Sequence, residues 1–103
     1  MSPEFLRKAG KVFTELTNVA IFLRENGYPE RALQCLFVLS EGDSTYETGT
    51  YAYEIGRCYE TLGNLGEAAR FFAIAVEQNP AITEFRVAAE RLGLSLPPDP
   101  TSA

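Results

Sequence analysis

Apolar residues in the first quarter of the chain recur at steps of three and four. This period is typical of an amphipathic α-helix that buries one stripe. Ser2-Pro3 suits the start of such a helix, and Asn26-Gly27 suits its end, because glycine readily adopts the left-handed conformation that closes a helix. We therefore predict one long helix from Phe5 to Asn26, with a buried stripe made of Phe5, Ala9, Val12, Leu16, Val19 and Leu23.

Four further segments have helical spacing, and no segment alternates in the manner of a strand. Ser44 and Glu47 fit a capping box, and Asn79-Pro80 fits a cap followed by a first-turn proline. The short connections force neighbouring helices to run antiparallel. The pattern predicts an all-α chain of about five helices, the last four running from Pro29 to just before Glu41, from Ser44 to about Leu62, from Gly66 to about Gln78, and from Asn79-Pro80 to Gly93.

An internal repeat organises these helices. Gly27 and Gly63 lie 36 positions apart, and the same interval separates Ala32 from Ala68 and Leu36 from Phe72. Small residues at matching points let two antiparallel helices approach closely, while large side chains fill the volume beside them. A repeated helix hairpin is therefore the unit of the predicted fold.

The second copy of the repeat reads Ile55-Gly56-x-x-Tyr59-x-x-x-Gly63, then Ala68-x-x-x-Phe72-x-x-Ala75, then Pro80. This pattern resembles the tetratricopeptide repeat, which has a period of about 34 residues and the marks G-x-x-Y, A-x-x-x-F and a closing proline. The resemblance implies an α-α superhelix of antiparallel hairpins. Its structural positions here are Ala20, Gly27, Ala32, Gly56, Tyr59, Gly63, Ala68, Phe72, Ala75 and Pro80.

The first copy departs from that pattern. Leu23 stands where the family has an aromatic residue, Ser44 stands at the closing proline, and two extra residues lengthen the junction near Gly42. We expect one domain over 6–96, with repeats at about 13–46 and 49–82 and a capping helix at about 80–93. Residues 1–5 look like an expression-vector scar, and 97–103 is expected to be a flexible tail.

In tetratricopeptide domains the first helix of each repeat lines a concave face that binds a partner. The alternative is that the matching residues here lie on an ordinary solvated helix face and bind no partner. The family's clamp for acidic tails, made of Lys and Asn, is absent, because Thr17, Ile21 and Glu54 occupy the matching positions. The resemblance implies the partner-binding set Thr14, Thr17, Ile21, Arg24, Thr50, Tyr53, Arg57 and Glu60.

The composition of the chain excludes several classes of partner and of active site. The net charge of −5 disfavours nucleic acid and anionic membranes as partners, since both attract basic surfaces. The 103 residues include no histidine and only two cysteines, Cys35 and Cys58, far apart in sequence. No metal site, cofactor or catalytic constellation is therefore expected. We expect free thiols, a cytoplasmic location and no enzymatic activity.

These features favour a non-enzymatic module that binds a peptide or helix of another protein. The alternatives are a small dedicated chaperone, similar to secretion chaperones, that sequesters an aggregation-prone client, and a fragment of a longer solenoid. Two repeats are few, so Phe13, Phe22 and Phe71, which lie off the main stripe, either pack on neighbouring helices or drive self-association. The charged residues of the fifth helix are expected to face solvent: Glu84, Arg86, Glu90 and Arg91.

Overall fold

The computed structural model describes the backbone of residues 3–42 and 49–94, and the side chains of these ranges except 3–11, 13 and 42. The described chain is all-helical, as predicted, and contains no strand. Predictions for Ser2, for the Ser44–Glu47 capping box and for the tail at 97–103 lie outside the described residues. The helices are α1 (Pro3–Glu25), α2 (Pro29–Gly42), α3 (Thr50–Thr61), α4 (Leu65–Gln78) and α5 (Thr83–Arg91).

Glycines end the helices where the sequence predicts. Gly27, Gly63 and Gly93 have φ of +91°, +81° and +85°. After each glycine the chain closes the helix with a backbone hydrogen bond to a carbonyl five residues back. In one of these, the Tyr28 N–H donates to the Leu23 carbonyl at 2.8 Å. Helix direction therefore reverses at the predicted points.

Several predicted helix boundaries are wrong. The second helix does not end before Glu41 but runs to Gly42. The third helix begins at Thr50 rather than Ser44, because Gly49 has φ +86° and interrupts helical geometry. The fifth helix begins at Thr83 rather than at Pro80. Pro80 lies instead in a turn closed by the Ile82 N–H donating to the Asn79 carbonyl at 3.3 Å, a position that its fixed φ suits.

The helices pack as hairpins in chain order. α1 packs on α2, and α5 packs on α4. α3 packs on both α2 and α4, and it makes a smaller contact with α1. One apolar cluster joins α1, α2 and α3, and a second joins α3, α4 and α5. Tyr59 and Phe71 contact both clusters, with rings stacked at 5.7 Å, so Phe71 packs on its neighbours. α3 is therefore the central helix of the domain.

Gly56 sets the distance between α3 and α4. A Cβ placed on Gly56 would lie 2.6 Å from Cε1 of Phe72, which is fully buried. That distance is shorter than two carbon atoms tolerate, so only glycine fits while Phe72 keeps its position. Ala68 and Ala75, on the same helix as Phe72, are also fully buried.

The predicted buried stripe of α1 is wrong at three positions, although Leu23 is partly buried and packs against the first apolar cluster. Val12, Leu16 and Val19 are exposed, and Phe22 beside them is 63% exposed. The covered side of α1 carries Thr17 and Ala20 instead, because α2 and α3 pack there. The side chains of Phe5, Ala9 and Phe13 lie outside the description.

Two further properties concern the whole described chain. None of its helices combines the length and the apolarity that crossing a membrane requires. Cys35 and Cys58 are both free thiols. Burial raises the pKa of the Cys58 thiol to about 11 and also raises the pKa of Cys35, which is only half-buried.

We predict that Gly56→Ala lowers the free energy of unfolding by about 2 kcal/mol, because the added methyl group overpacks the crossing with Phe72. Urea denaturation measures the change. Gly66→Ala in α4 is the matched control, since the nearest atom to its added Cβ is 4.0 Å away. The control should leave stability unchanged or raise it by about 0.5 kcal/mol. Equal effects of the two substitutions would contradict the close crossing.

We also predict that iodoacetamide at pH 8 alkylates Cys35 at least roughly tenfold faster than Cys58, because the buried thiol with the high pKa forms little thiolate. Mass spectrometry of peptides from the native protein measures both rates. In urea the two rates should converge. Equal rates in the folded protein would show that Cys58 is not buried in solution.

Candidate functional site

Five charged residues from three helices form a connected row, here called the charged row. α1 contributes Arg24, α3 contributes Glu54, Arg57 and Glu60, and α5 contributes Arg91. The signs alternate along the row. Successive members are linked by ion pairs or by electrostatic interaction, so the odd-numbered helices share one polar face.

Arg24 and Glu54 link α1 to α3. An Arg24 Nη2 atom lies 3.6 Å from a Glu54 Oε2 atom, and their side chains are only 11% and 12% exposed. Burial raises the pKa of the Glu54 carboxyl, while the charges of Arg24 and Arg57 oppose that rise. Nearby Glu25, 3.8 Å from Arg24, raises it further. This pair is therefore a buried link between the hairpins rather than a surface contact, and within the described part of the chain the Arg24 Nε and Glu54 Oε2 atoms have no hydrogen-bond partner.

Arg57 is held in the middle of the row. Its Nη1 donates a hydrogen bond of 3.0 Å to the Tyr53 hydroxyl, and its guanidinium lies 5.9 Å from the centre of the Tyr53 ring. Its Nε is 3.7 Å from a Glu60 carboxylate oxygen. About a third of the Arg57 side chain remains exposed. The guanidinium is thus oriented by neighbours and still accessible.

Glu60 links α3 to α5 through Arg91. The Arg91 Nε and Nη2 atoms donate to the two carboxylate oxygens of Glu60 at 2.7–3.2 Å. This is the two-pronged geometry in which arginine binds carboxylates best. Arg91 was expected among the solvent-facing charges of the fifth helix. It is about half exposed, and it also pairs across helices, because the turn after Pro80 brings the end of α5 beside Glu60.

Tyr53 lies beside the charged row, and its ring also packs in the apolar interior. Its ring stacks on Phe85 of α5 with centroids 4.9 Å apart, and it lies 5.8 Å from Phe72 of α4. The ring therefore helps to hold α5 against α3 and α4. The hydroxyl accepts the hydrogen bond from Arg57, so the same residue orients a charged member of the row.

The eight residues predicted to bind a partner are not equivalent in the structure. Arg24, Arg57 and Glu60 belong to the charged row, and Tyr53 adjoins it. On α1, Ile21 is half-buried, Thr14 is exposed and Thr17 is buried; on α3, Thr50 is exposed. The structure thus brings four of the eight into one connected group.

Sequence reasoning missed Glu54 and Arg91 as members of the row, and Phe85 as the partner of Tyr53. Glu54 lies one turn before Arg57 on α3, a spacing that places both on one face and could have been noticed. Arg91 lies 31 positions after Glu60 and outside the 36-residue interval. No local pattern marks that contact.

The charged row lies on a face made of three helices. Its arginines donate hydrogen bonds and are positively charged, and its glutamates accept hydrogen bonds and are negatively charged. Within residues 3–42 and 49–94, no three metal-binding side chains come close enough to hold an ion. Compared with protein-family models, with curated proteins and with solved structures, the chain has no significant match.

We predict that Arg24→Met destabilises the protein at pH 7 by about 3 kcal/mol, because Glu54 loses its closest cation while it stays buried. A carboxyl whose pKa is raised by folding favours the folded state at low pH, and that contribution is lost as the pH rises through the folded pKa. Without Arg24 this pKa rises further. The destabilisation should therefore shrink toward pH 4.5, as Glu54 becomes protonated.

Urea denaturation of wild type and variant between pH 4.5 and pH 7.5 measures this difference. Arg70→Met is the control, because Arg70 pairs with Glu67 on the surface of α4. Because the Arg70 guanidinium also lies 4.5 Å from the centre of the Phe71 ring, this substitution should lower stability only slightly and leave the pH dependence unchanged. A destabilisation by Arg24→Met that is constant over this pH range would contradict a buried, ionised Glu54.

Proposed function

We propose that this chain is a non-enzymatic interaction module, similar to tetratricopeptide domains, that binds a helix or an extended peptide of another protein. The binding face is the one that carries the charged row. The observation that supports this is the convergence of α1, α3 and α5 on a single row of alternating charge, three of whose five members remain accessible. In a repeat of helix hairpins, the adjoining first helices are where such a face is expected.

The accessible part of the row defines the partner contacts. Arg24 and Glu54 are buried and serve to join the hairpins. Arg57, Glu60 and Arg91 keep between a quarter and a half of their side chains exposed. We therefore assign these three residues to the partner, with half-buried Ile21 as the apolar contact on α1.

The mixed signs of this surface also set the chemistry of the partner. A segment that carries both acidic and basic residues around an apolar anchor can pair with Arg57, Glu60 and Arg91 together. A uniformly acidic peptide is disfavoured by the net charge of −5, and a uniformly basic one would leave the arginines unpaired. The expected partner is thus an amphipathic segment of mixed charge.

Composition supports the non-enzymatic part of the proposal. The sequence has no histidine and none of the glycine-rich loops that bind nucleotide phosphates. Its two thiols are free, which supports a reducing compartment such as the cytoplasm.

The test begins with helical peptides selected from a displayed random library against the wild-type protein. Calorimetric titration of a selected peptide should show a dissociation constant about tenfold higher or more for Arg57→Ala, since a charged contact near the centre of an interface is lost. Tyr53→Phe keeps the ring that stacks on Phe85 and removes only the hydroxyl that orients Arg57. It should weaken binding by a smaller factor.

Arg70→Ala provides the matched control. Arg70 is exposed on α4 and pairs with Glu67 within its own helix. Its loss should leave the dissociation constant unchanged. Peptides whose affinity falls with Arg70→Ala and is insensitive to Arg57→Ala would place binding on the even-numbered helices and overturn the assignment.

A further inference from the structure

A second surface of the molecule is apolar rather than charged. Val12 and Val19 on α1 are 51% and 49% exposed, Leu16 lies between them, and Phe22 follows at 63% exposed. We call these four residues the α1 stripe. They are spaced so that they share one side of the helix, separate from the side that carries Arg24. A contiguous run of large apolar side chains on one helix marks an interaction surface.

The internal repeat shows that the corresponding face is normally covered. Val19 and Phe22 lie 36 positions before Ile55 and Cys58 of α3. Ile55 and Cys58 are buried in the cluster that joins α1, α2 and α3. The α1 stripe is therefore the continuation of an interface that this fold already uses once, and among the described residues it has no helix against it.

The α1 stripe belongs to a regular pattern along the helix. The steps from Ala9 to Val19 are three, four and three, which is the heptad spacing of helices that pair along a seam. The pattern is also symmetric about Thr14. If two copies of α1 run antiparallel around that point, positions of the seam meet positions of the same seam: Val12 with Leu16, and Ala9 with Val19.

Charge along the chain agrees with an antiparallel arrangement. Residues 1–11 contain Arg7, Lys8 and Lys11 against one acid, Glu4, whereas the remainder of the chain carries six basic and thirteen acidic residues. In this register the basic end faces residues 17–27 of the other copy, where the charges of Arg24 and Glu25 cancel, whereas a parallel pair would set the two basic ends together. Lys11 of one copy and Glu15 of the other are then only about 3 Å apart along the shared axis, by the helical rise per residue. Each Lys11 thus opposes the repulsion between the two copies of Glu15.

We infer that the α1 stripe is a self-association surface, and that its occupant is the α1 stripe of a second copy of this chain in antiparallel register about Thr14. The interface is two-fold symmetric, so it closes as a dimer and does not extend into a filament. It lies apart from the charged row, and the dimer leaves Arg57, Glu60 and Arg91 available to a partner.

Sedimentation velocity over a concentration range tests the proposal. The wild-type chain should pass from monomer to dimer between roughly 10 μM and 1 mM, the range expected of a small single-helix interface. Val19→Glu should raise the dimer dissociation constant tenfold or more, because it places a charge in the seam. Val87→Glu on α5 is the matched control, since Val87 is a valine exposed to a similar degree, 52%. It should leave association unchanged.

Circular dichroism melts accompany these measurements, because all the substituted valines are exposed and the monomer should stay folded. A wild-type chain that remains monomeric at 1 mM would overturn the inference. So would a dimer that Val19→Glu leaves intact, since the dimer would then use another surface.

Cross-linking tests the register. In a Cys35→Ser background, oxidation should join two copies of the Glu15→Cys variant, because this position lies beside the two-fold axis. Lys8→Cys is the control, since two copies of position 8 lie about 18 Å apart along the antiparallel axis. Oxidation should leave it monomeric. Efficient cross-linking of Lys8→Cys would indicate a parallel pair and contradict the proposed register.

Discussion

The close contact between Gly56 and Phe72 is the constraint on which the arrangement of the domain depends. Because glycine has no side chain, α3 approaches α4 until Phe72 fills the space where a Cβ would be. α3 thereby becomes the central helix, with α1 and α2 on one side and α4 and α5 on the other. Its remaining surface then faces the ends of α1 and α5. The charged row exists because that central position lets Glu54 reach Arg24 and lets Glu60 reach Arg91.

Much of the fold could be predicted from the sequence, because its determinants are local or periodic. The stops at Gly27, Gly63 and Gly93 follow from the conformational freedom of glycine. The orientation of α1 could not be predicted in the same way. Helical period identifies an apolar side, but α1 has apolar residues on two adjacent sides. Which side is covered depends on where α2 and α3 pack, and the structure covers Ala20 rather than Val19.

The candidate site, too, could be predicted only in part from the sequence. The 36-residue interval led to Arg57 and Glu60 because it relates the two hairpins, and the structure places both in the charged row. The contact of Arg91 with Glu60 was not predicted, because it depends on a turn whose start at Asn79 was taken for a helix cap. Tyr53 was expected to serve a partner, yet its ring is largely engaged with Phe85. A long-range contact of this kind leaves no mark in a single sequence.

The two surfaces of the molecule differ in physical character, and so do the interactions proposed for them. The charged row can pair with charges and amide groups of a partner and depends on ionic strength. The α1 stripe is apolar and depends on burial. The central claim is that a partner segment binds the face formed by α1, α3 and α5. Amide chemical-shift mapping during titration with a selected peptide tests it most directly. The account predicts shifts concentrated around Ile21, Arg57, Glu60 and Arg91; shifts concentrated on α2 and α4 would contradict it.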